Sequence, residues 1–185
     1  MKNVLMVVSG PSGVGKGTLV KALCKKREDL VESVSCTTRA PREKEVHGRE
    51  YYFLSKEEFL KRISEGDFLE YDEHFGNFYG TPKSFVKEQL EKKSVVLEID
   101  VMGALNAKKE LPESVLVMIV PPSVEALKQR LVSRNTESKE EIENRLSRLD
   151  FELSKKDEYD YVIVNDDLSV ALDELEQILE KEKNN

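Results

Sequence analysis

The residues best suited to chemistry lie in one stretch, Gly10-Pro11-Ser12-Gly13-Val14-Gly15-Lys16-Gly17-Thr18. Spaced glycines let backbone N–H groups curl around an anion, and a helix that starts there adds its positive end. Lys16 would reach the outer phosphates as a point charge. One position departs from the usual pattern. Gly17 stands where Ser or Thr commonly follows the lysine, with Thr18 one place later. A Mg²⁺ ion held with phosphates here would depend mainly on phosphate oxygens and water, with Thr18 and Asp100 as candidate ligands.

A second signal is Val95-Val96-Leu97-Glu98-Ile99-Asp100, an apolar run closed by carboxylates. Such a carboxylate at a strand end helps to place a metal beside phosphates. On a continuous strand, Glu98 and Asp100 would point to the same side. A third signal is arginine. Arg39 and Arg42, with Arg49 nearby, form one group, and Arg130, Arg134, Arg145 and Arg148 form another. Guanidinium forks suit phosphate oxygens, and two groups on different flanks would suit two phosphate-bearing substrates. Solvated surface charge is the equally good alternative from spacing alone. Tyr51, Glu70, Tyr79 and Thr81 combine tyrosines with acids, but half-buried packing is the commoner fate of such tyrosines.

Alternating patterns position these residues. An apolar run at Val4–Val8 predicts a strand ahead of the glycine loop, and Leu19, Val20 and Leu23 fit a helix from Lys16 to Lys26. Further strands are expected at Val95–Ile99, Val115–Val120 and Tyr161–Val164. Helices are expected at Thr81-Pro82, with Pro82 at the first helical position, at Ser123, and at Ser138 with Glu141 as a capping box. A turn is expected at Asn135-Thr136, and a frayed, solvated helix end at the C-terminus. This alternation implies an α/β fold with a largely parallel sheet. Residues 34–87 break the rhythm. Short strands at Val34–Thr38 and Glu50–Leu54, a helix capped by Ser55 and Glu58, and a hairpin around Gly76-Asn77 read as an insertion with its own mixed sheet.

Composition sets outer bounds. The 185 residues are 39% apolar and 35% charged, enough for one domain with a real core. The net charge of −7 gives no footprint for nucleic acid. Two cysteines, Cys24 and Cys36, read as free thiols in a reducing compartment, and no stretch approaches a membrane span. A cytoplasmic protein is the expectation, without an obligate protein partner.

Together the motifs resemble guanylate kinase, a P-loop nucleoside monophosphate kinase. The resemblance covers nearly the whole chain. It rests on Gly10–Thr18, on Ser35-Cys36-Thr37-Thr38-Arg39-Ala40-Pro41-Arg42, and on Glu45–Phe53. It continues through Phe68-Leu69-Glu70-Tyr71, Gly76–Thr81, Leu97–Gly103, the Arg130, Arg134 and Arg145 set, and Val162–Asp166. The combination of T-T-R-x-P-R with F-Y-G-T is far more specific than the glycine loop.

This resemblance implies a three-layer P-loop core near residues 1–33, 88–123 and 151–185, a GMP-binding region near 34–87 and a helical lid near 124–150. It implies phosphoryl transfer from ATP to GMP with Mg²⁺. Gly10–Thr18 and Asn165 would hold ATP, with Asn165 at the adenine edge. Ser35, Arg39, Arg42, Tyr51 and Tyr79 would hold the GMP phosphate, while Glu70, Thr81 and Asp100 would read guanine. Lys16, Arg39, Arg130, Arg134 and Arg145 would carry the catalytic charge. Two alternatives stay open: a non-catalytic binding module of the same fold, and a monophosphate kinase for another base. Cys36 and Met102 depart from residues frequent at their positions, and neither carries the chemistry.

Overall fold

Continuous apolar runs need cover on both faces, and here a parallel sheet obtains it between two helical layers. The computed structural model describes residues 2–74, 76–133 and 139–185. In chain order, β1 (Leu5–Ser9), α1 (Lys16–Lys26) and β2 (Leu30–Glu32) begin the core. The insertion holds β3 (Cys36–Thr37), β4 (Tyr52–Phe53), α2 (Lys56–Ser64), β5 (Phe68–His74) and β6 (Asn77–Pro82). The core resumes with α3 (Lys83–Leu90), β7 (Ser94–Glu98), α4 (Val101–Glu110) and β8 (Val115–Val120). It closes with α5 (Val124–Ser133), α6 (Lys139–Ser154), a 3₁₀ turn (Lys156–Glu158), β9 (Tyr161–Val164) and α7 (Leu168–Asn184).

The main sheet has the order β2-β7-β1-β8-β9, with every pairing parallel. Strand alternation divides its side chains between two cores. Met6, Val8, Val117 and Ile119 face α1, α5, α6 and α7, where Leu23, Leu127, Leu149 and Leu175 cover them. Leu5, Val7, Leu97 and Met118 face the other way, under Val86 of α3 and Val101 and Ala104 of α4. Each fully buried side chain of this size stabilises the fold by about 1.5–3 kcal/mol. The α/β fold with a parallel sheet expected from the alternating pattern is therefore present, in the three layers that the resemblance implies.

The second sheet is mixed, in the order β4-β3-β6-β5: β3 and β4 run parallel, and the other pairs are antiparallel. Its own small core stacks Phe59 on Phe68 at 4.4 Å and on Phe78 at 5.4 Å, beside buried Cys36. Ser55 caps α2 as its spacing predicts, accepting from Glu58 N at 3.1 Å. Cys24 and Cys36 are both free, and burial pushes each thiol up to about 11, which keeps them protonated.

Four details differ from the sequence pattern. β2 is only three residues long and offers no period to read. α4 was not expected, because its buried Gly103, Ala104 and Ala107 are small residues that leave little apolar rhythm. Pro82 is not the first helical residue. It sits in an extended conformation, pairs with Phe68 across the hairpin and precedes α3 as its N-cap. The C-terminal end is not frayed. Lys183 is 6% exposed and ion-paired with Asp29, and its carbonyl accepts from Lys2 N at 3.0 Å. Arg27 and Lys183 hold the Asp29 carboxyl well below the usual range. Opposite charges 154 residues apart in sequence fix this helix end, which no local pattern reveals.

Among the described residues no helix is long and apolar enough to cross a membrane. The expected turn at Asn135-Thr136, residue Ser138 of the expected capping box, and Arg134 lie outside the described residues. Arg145 falls on α6, and its side chain is likewise outside them.

Candidate nucleotide site

β1 delivers the chain to the top of the sheet at Ser9, and α1 starts at Lys16, so Gly10–Gly15 must turn within six residues. Gly15 makes that turn as the helix N-cap, with φ 97° and ψ 17°. A side chain there would be strained, and its Cβ would lie 2.7 Å from Asn165 Nδ2. Asn165, at the end of β9, donates that amide to Val14 O at 2.7 Å and so ties the loop to the sheet edge. Lys16 Nζ donates to Gly10 O at 2.7 Å and Pro11 O at 3.0 Å, which curls the lysine along the loop.

A cavity of about 580 Å³ opens above the loop, lined by Ser12, Gly13, Lys16, Thr18, Lys21 and Glu98 among others. Beside it lies one of about 270 Å³, lined by Val14, Thr18, Arg130, Asn165 and Asp166 among others. Arg130 of α5 reaches this second cavity and donates to Asn165 O at 2.9 Å. Backbone amides, two lysines and a helix N-terminus on one cleft make a site for a polyphosphate.

Across Glu98 the insertion supplies a different surface. A cavity of about 120 Å³ is lined by Ser35, Tyr51, Thr81, Glu98 and Glu50 among others. Thr81 Oγ1 lies 3.5 Å from Ser35 Oγ and donates to Glu70 Oε1 at 2.6 Å. Burial raises the Glu70 carboxyl to about 7, and the neighbouring charge of Asp100 adds to the shift, against the Thr81 hydrogen bond. Glu70 and Asp100 converge on the first turn of α4, where Asp100 Oδ1 accepts from Gly103 N at 2.6 Å.

Tyr51 and Tyr79 meet edge to face at 6.0 Å, and the Arg39 guanidinium lies 5.6 Å from the Tyr51 ring centre. Glu45 engages Arg39 Nη2 at 2.9 and 3.0 Å and accepts from Arg42 N at 2.8 Å. Arg49 pairs with Glu50 at 2.6 Å.

The expected residues thus gather on two facing walls. Lys16, Thr18, Asn165 and Arg130 belong to the loop side. Ser35, Tyr51 and Thr81 line the opposite cavity, with Glu70, Tyr79, Arg39 and Asp100 in contact with them or with each other. Arg42 is exposed and lines neither cavity, and its backbone N–H donates to Glu45. The continuous strand on which Glu98 and Asp100 were expected to share a side does not reach Asp100. β7 ends at Glu98, so strand alternation no longer governs Asp100, which instead caps α4.

Two participants did not enter the site assigned from sequence: Glu98, although it belongs to the second signal, and Glu45. Glu98 touches both cavities, and its position at the end of the apolar run was the available signal. Glu45 left no signal beyond opposite charge within one loop.

A parallel sheet with a glycine loop at its top, a helix rising from that loop and a second walled pocket opposite defines a P-loop phosphotransferase for two substrates. At the level of fold alone, a shikimate kinase structure from Bacteroides thetaiotaomicron is similar, with TM-score 0.54, 17% identity, and 96% of this chain and 98% of that one covered. The guanylate kinase family pattern matches residues 2–182, and the chain belongs to that family. It is 49% identical over 183 residues to guanylate kinase of Clostridium perfringens (strain SM101 / Type A), covering 98% of this chain and 85% of the relative. It is 48% identical over 184 residues to guanylate kinase of Clostridioides difficile (strain 630), covering 99% and 90%. A crystal structure of guanylate kinase from Anaplasma phagocytophilum superposes with TM-score 0.76 at 38% identity, covering 98% of this chain and 87% of that one.

Proposed function

We infer that this chain is a catalytic guanylate kinase, which transfers the γ-phosphoryl group of ATP to GMP, and to dGMP as a second acceptor, yielding ADP and the nucleoside diphosphate. The observation that carries the reading is the pairing of two walls across Glu98: the Lys16 loop on one side and the part-buried Glu70–Thr81 pair on the other. Guanine offers N1–H and a 2-amino group side by side, and an ionised Glu70 accepts from both. Adenine has neither donor there, so it would leave the carboxylate unpaired at a cost of about 1–3 kcal/mol.

The acceptor phosphate is already anionic, so the reaction needs positioning and charge neutralisation more than a strong base. Lys16 and the loop amides would bind the ATP phosphates, with Arg130, Arg134 and Arg145 closing from the lid side. Ser35, Arg39, Arg42, Tyr51 and Tyr79 would hold the GMP phosphate for in-line attack. Closure would also exclude water, which otherwise competes as the acceptor. Among the described residues no group of three His, Cys, Asp or Glu could hold a metal ion, so the oxygen donors facing the loop cavity, Thr18 and Glu98, would act beside phosphate and water. Thr18 and Glu98 would help to hold Mg²⁺ there, and the ion would supply charge neutralisation when bound.

We divide the chain into a core near 1–33, 88–123 and 151–185, an acceptor region near 34–87 and a lid near 124–150. ATP and GMP are the partners in this reading. Nucleic acid, membrane and an obligate protein partner have no part in it, and the cytoplasm is the proposed compartment.

A coupled assay of ADP release, run over GMP, dGMP, AMP and the pyrimidine monophosphates, tests the assignment. ADP release with GMP and dGMP, and little with AMP or the pyrimidine monophosphates, is expected. Turnover highest with AMP or a pyrimidine would move the chain to another base, and no turnover with any of them would make it a binding module.

A further inference from the structure

Gly17 is the one unusual position in the phosphate loop, and its surroundings explain it. Four buried residues precede Glu98 on β7, and Glu98 alone emerges into the cleft. A Cβ added to Gly17 would lie 2.9 Å from Glu98 Oε2 and 3.3 Å from Oε1. A side chain at position 17 would therefore require the carboxylate, the far end of a flexible side chain, to move from the place it occupies. The same carboxylate lines the large cavity beside Lys16 and Thr18. A hydroxyl following the lysine and a carboxylate reaching in from the neighbouring strand are alternative hard oxygen donors for the same place, and hard oxygens are what a Mg²⁺–nucleotide requires.

We propose that Gly17 and Glu98 form a size-matched pair, in which the missing side chain at 17 makes room for Glu98 to supply the oxygen that a hydroxyl after Lys16 would otherwise offer to the nucleotide-bound cation. The pair orients the cation, directly or through a bound water, and makes no covalent bond. Glu98 is then a positioning residue that also stands between the donor and acceptor cavities. The inference rests on the assignment of this cleft to ATP.

Calorimetric titration with ADP, once with Mg²⁺ and once with EDTA, tests the pair in the full chain and in G17S, E98D and G17S/E98D. Each single substitution should weaken Mg²⁺–ADP binding about tenfold, the lower end of what disturbed metal surroundings cost. Metal-free ADP should lose less affinity than Mg²⁺–ADP in each single variant. The double variant should recover to within about threefold of the parent, because the shorter acid vacates the space and the new hydroxyl replaces its oxygen. G17A/E98D relieves the crowding without restoring a donor, so it should remain weak for Mg²⁺–ADP.

Melting without nucleotide gives an independent reading: G17S should lose stability that E98D restores. Losses that multiply in the double variant would overturn the pairing. So would equal losses with and without metal, or a G17A/E98D protein that binds Mg²⁺–ADP as well as G17S/E98D. Failure of the parent to bind ADP in either buffer would instead remove the ATP assignment, and the pair with it.

Discussion

The two walls of the cleft are built by different means. The loop wall is backbone: Gly10–Gly15 hang between a fully buried strand and a helix whose Leu19, Val20 and Leu23 are completely buried. Its conformation is set by the packing of the main sheet, and Asn165 fastens it from the far edge. The insertion wall is side chain. It is carried by strands of two residues, β3 and β4, and by a hairpin with its own aromatic core. Its charged groups hold each other: Glu45 occupies Arg39, Glu50 occupies Arg49, and Glu70 sits near the midpoint of its titration. An anion arriving at the loop meets amides already in place. In the proposed reading, a nucleotide arriving at the insertion would displace a carboxylate from Arg39 and would bind the ionised form of Glu70.

The comparison breaks most sharply at Lys16. Lys16→Ala should lower kcat by about 10²–10³ or more, the scale for one preorganised donor, while the melting temperature shifts little. Near-normal ADP release in that variant would remove the phosphate role of the loop.

Glu70→Gln comes next. It should reduce kcat/KM for GMP by about 10–100-fold, as expected for a hydrogen bond to a charged group, and leave KM for ATP unchanged. A fall confined to ATP affinity would reverse the two walls.

The pH dependence sharpens the contrast. Burial raises Glu70, so the free protein carries the protonated form below about 7 and the carboxylate above it. Guanine donors need the carboxylate. KM for GMP should therefore fall as pH rises from 6 to 8, by up to about tenfold per unit on the acid side, while KM for ATP does not follow this titration. Glu70→Gln should flatten the GMP profile. A profile unchanged in that variant would assign the titration elsewhere.

The smallest expected effect concerns the parked arginine. Glu45→Gln removes the charge that holds Arg39 and should lower KM for GMP by about two- to fivefold, the scale of an ion pair still partly open to water. An increase would mean that Glu45 orients Arg39 for phosphate instead of competing with it.

Much of the core was legible from local pattern, because burial on both faces leaves apolar runs that only strands of this kind use. β8 and β9 coincide with their expected bounds, while β1 lies one residue later and β7 one residue earlier than expected, at both ends. α1 begins where the glycines end, since left-handed Gly15 forces the transition. The insertion was legible as strand-rich, but its two-residue strands carry too little pattern to place their ends. β2 and α4 left weaker traces, one by brevity and the other by small residues packed on several sides.

For the site, residue type and spacing by themselves determined the phosphate loop, since a tight glycine turn followed by lysine has local physical requirements. Recognition of the family motifs named the acceptor-side residues, yet not their state. Tertiary structure alone decided that Asp100 leaves its strand to cap α4, that Glu45 engages Arg39, and that Lys183 docks on Asp29. It alone decided that the space above Gly17 belongs to Glu98. These are contacts between segments distant in sequence or between flexible charged side chains. Their geometry depends on where whole elements pack, and periodicity within one element carries no information about that.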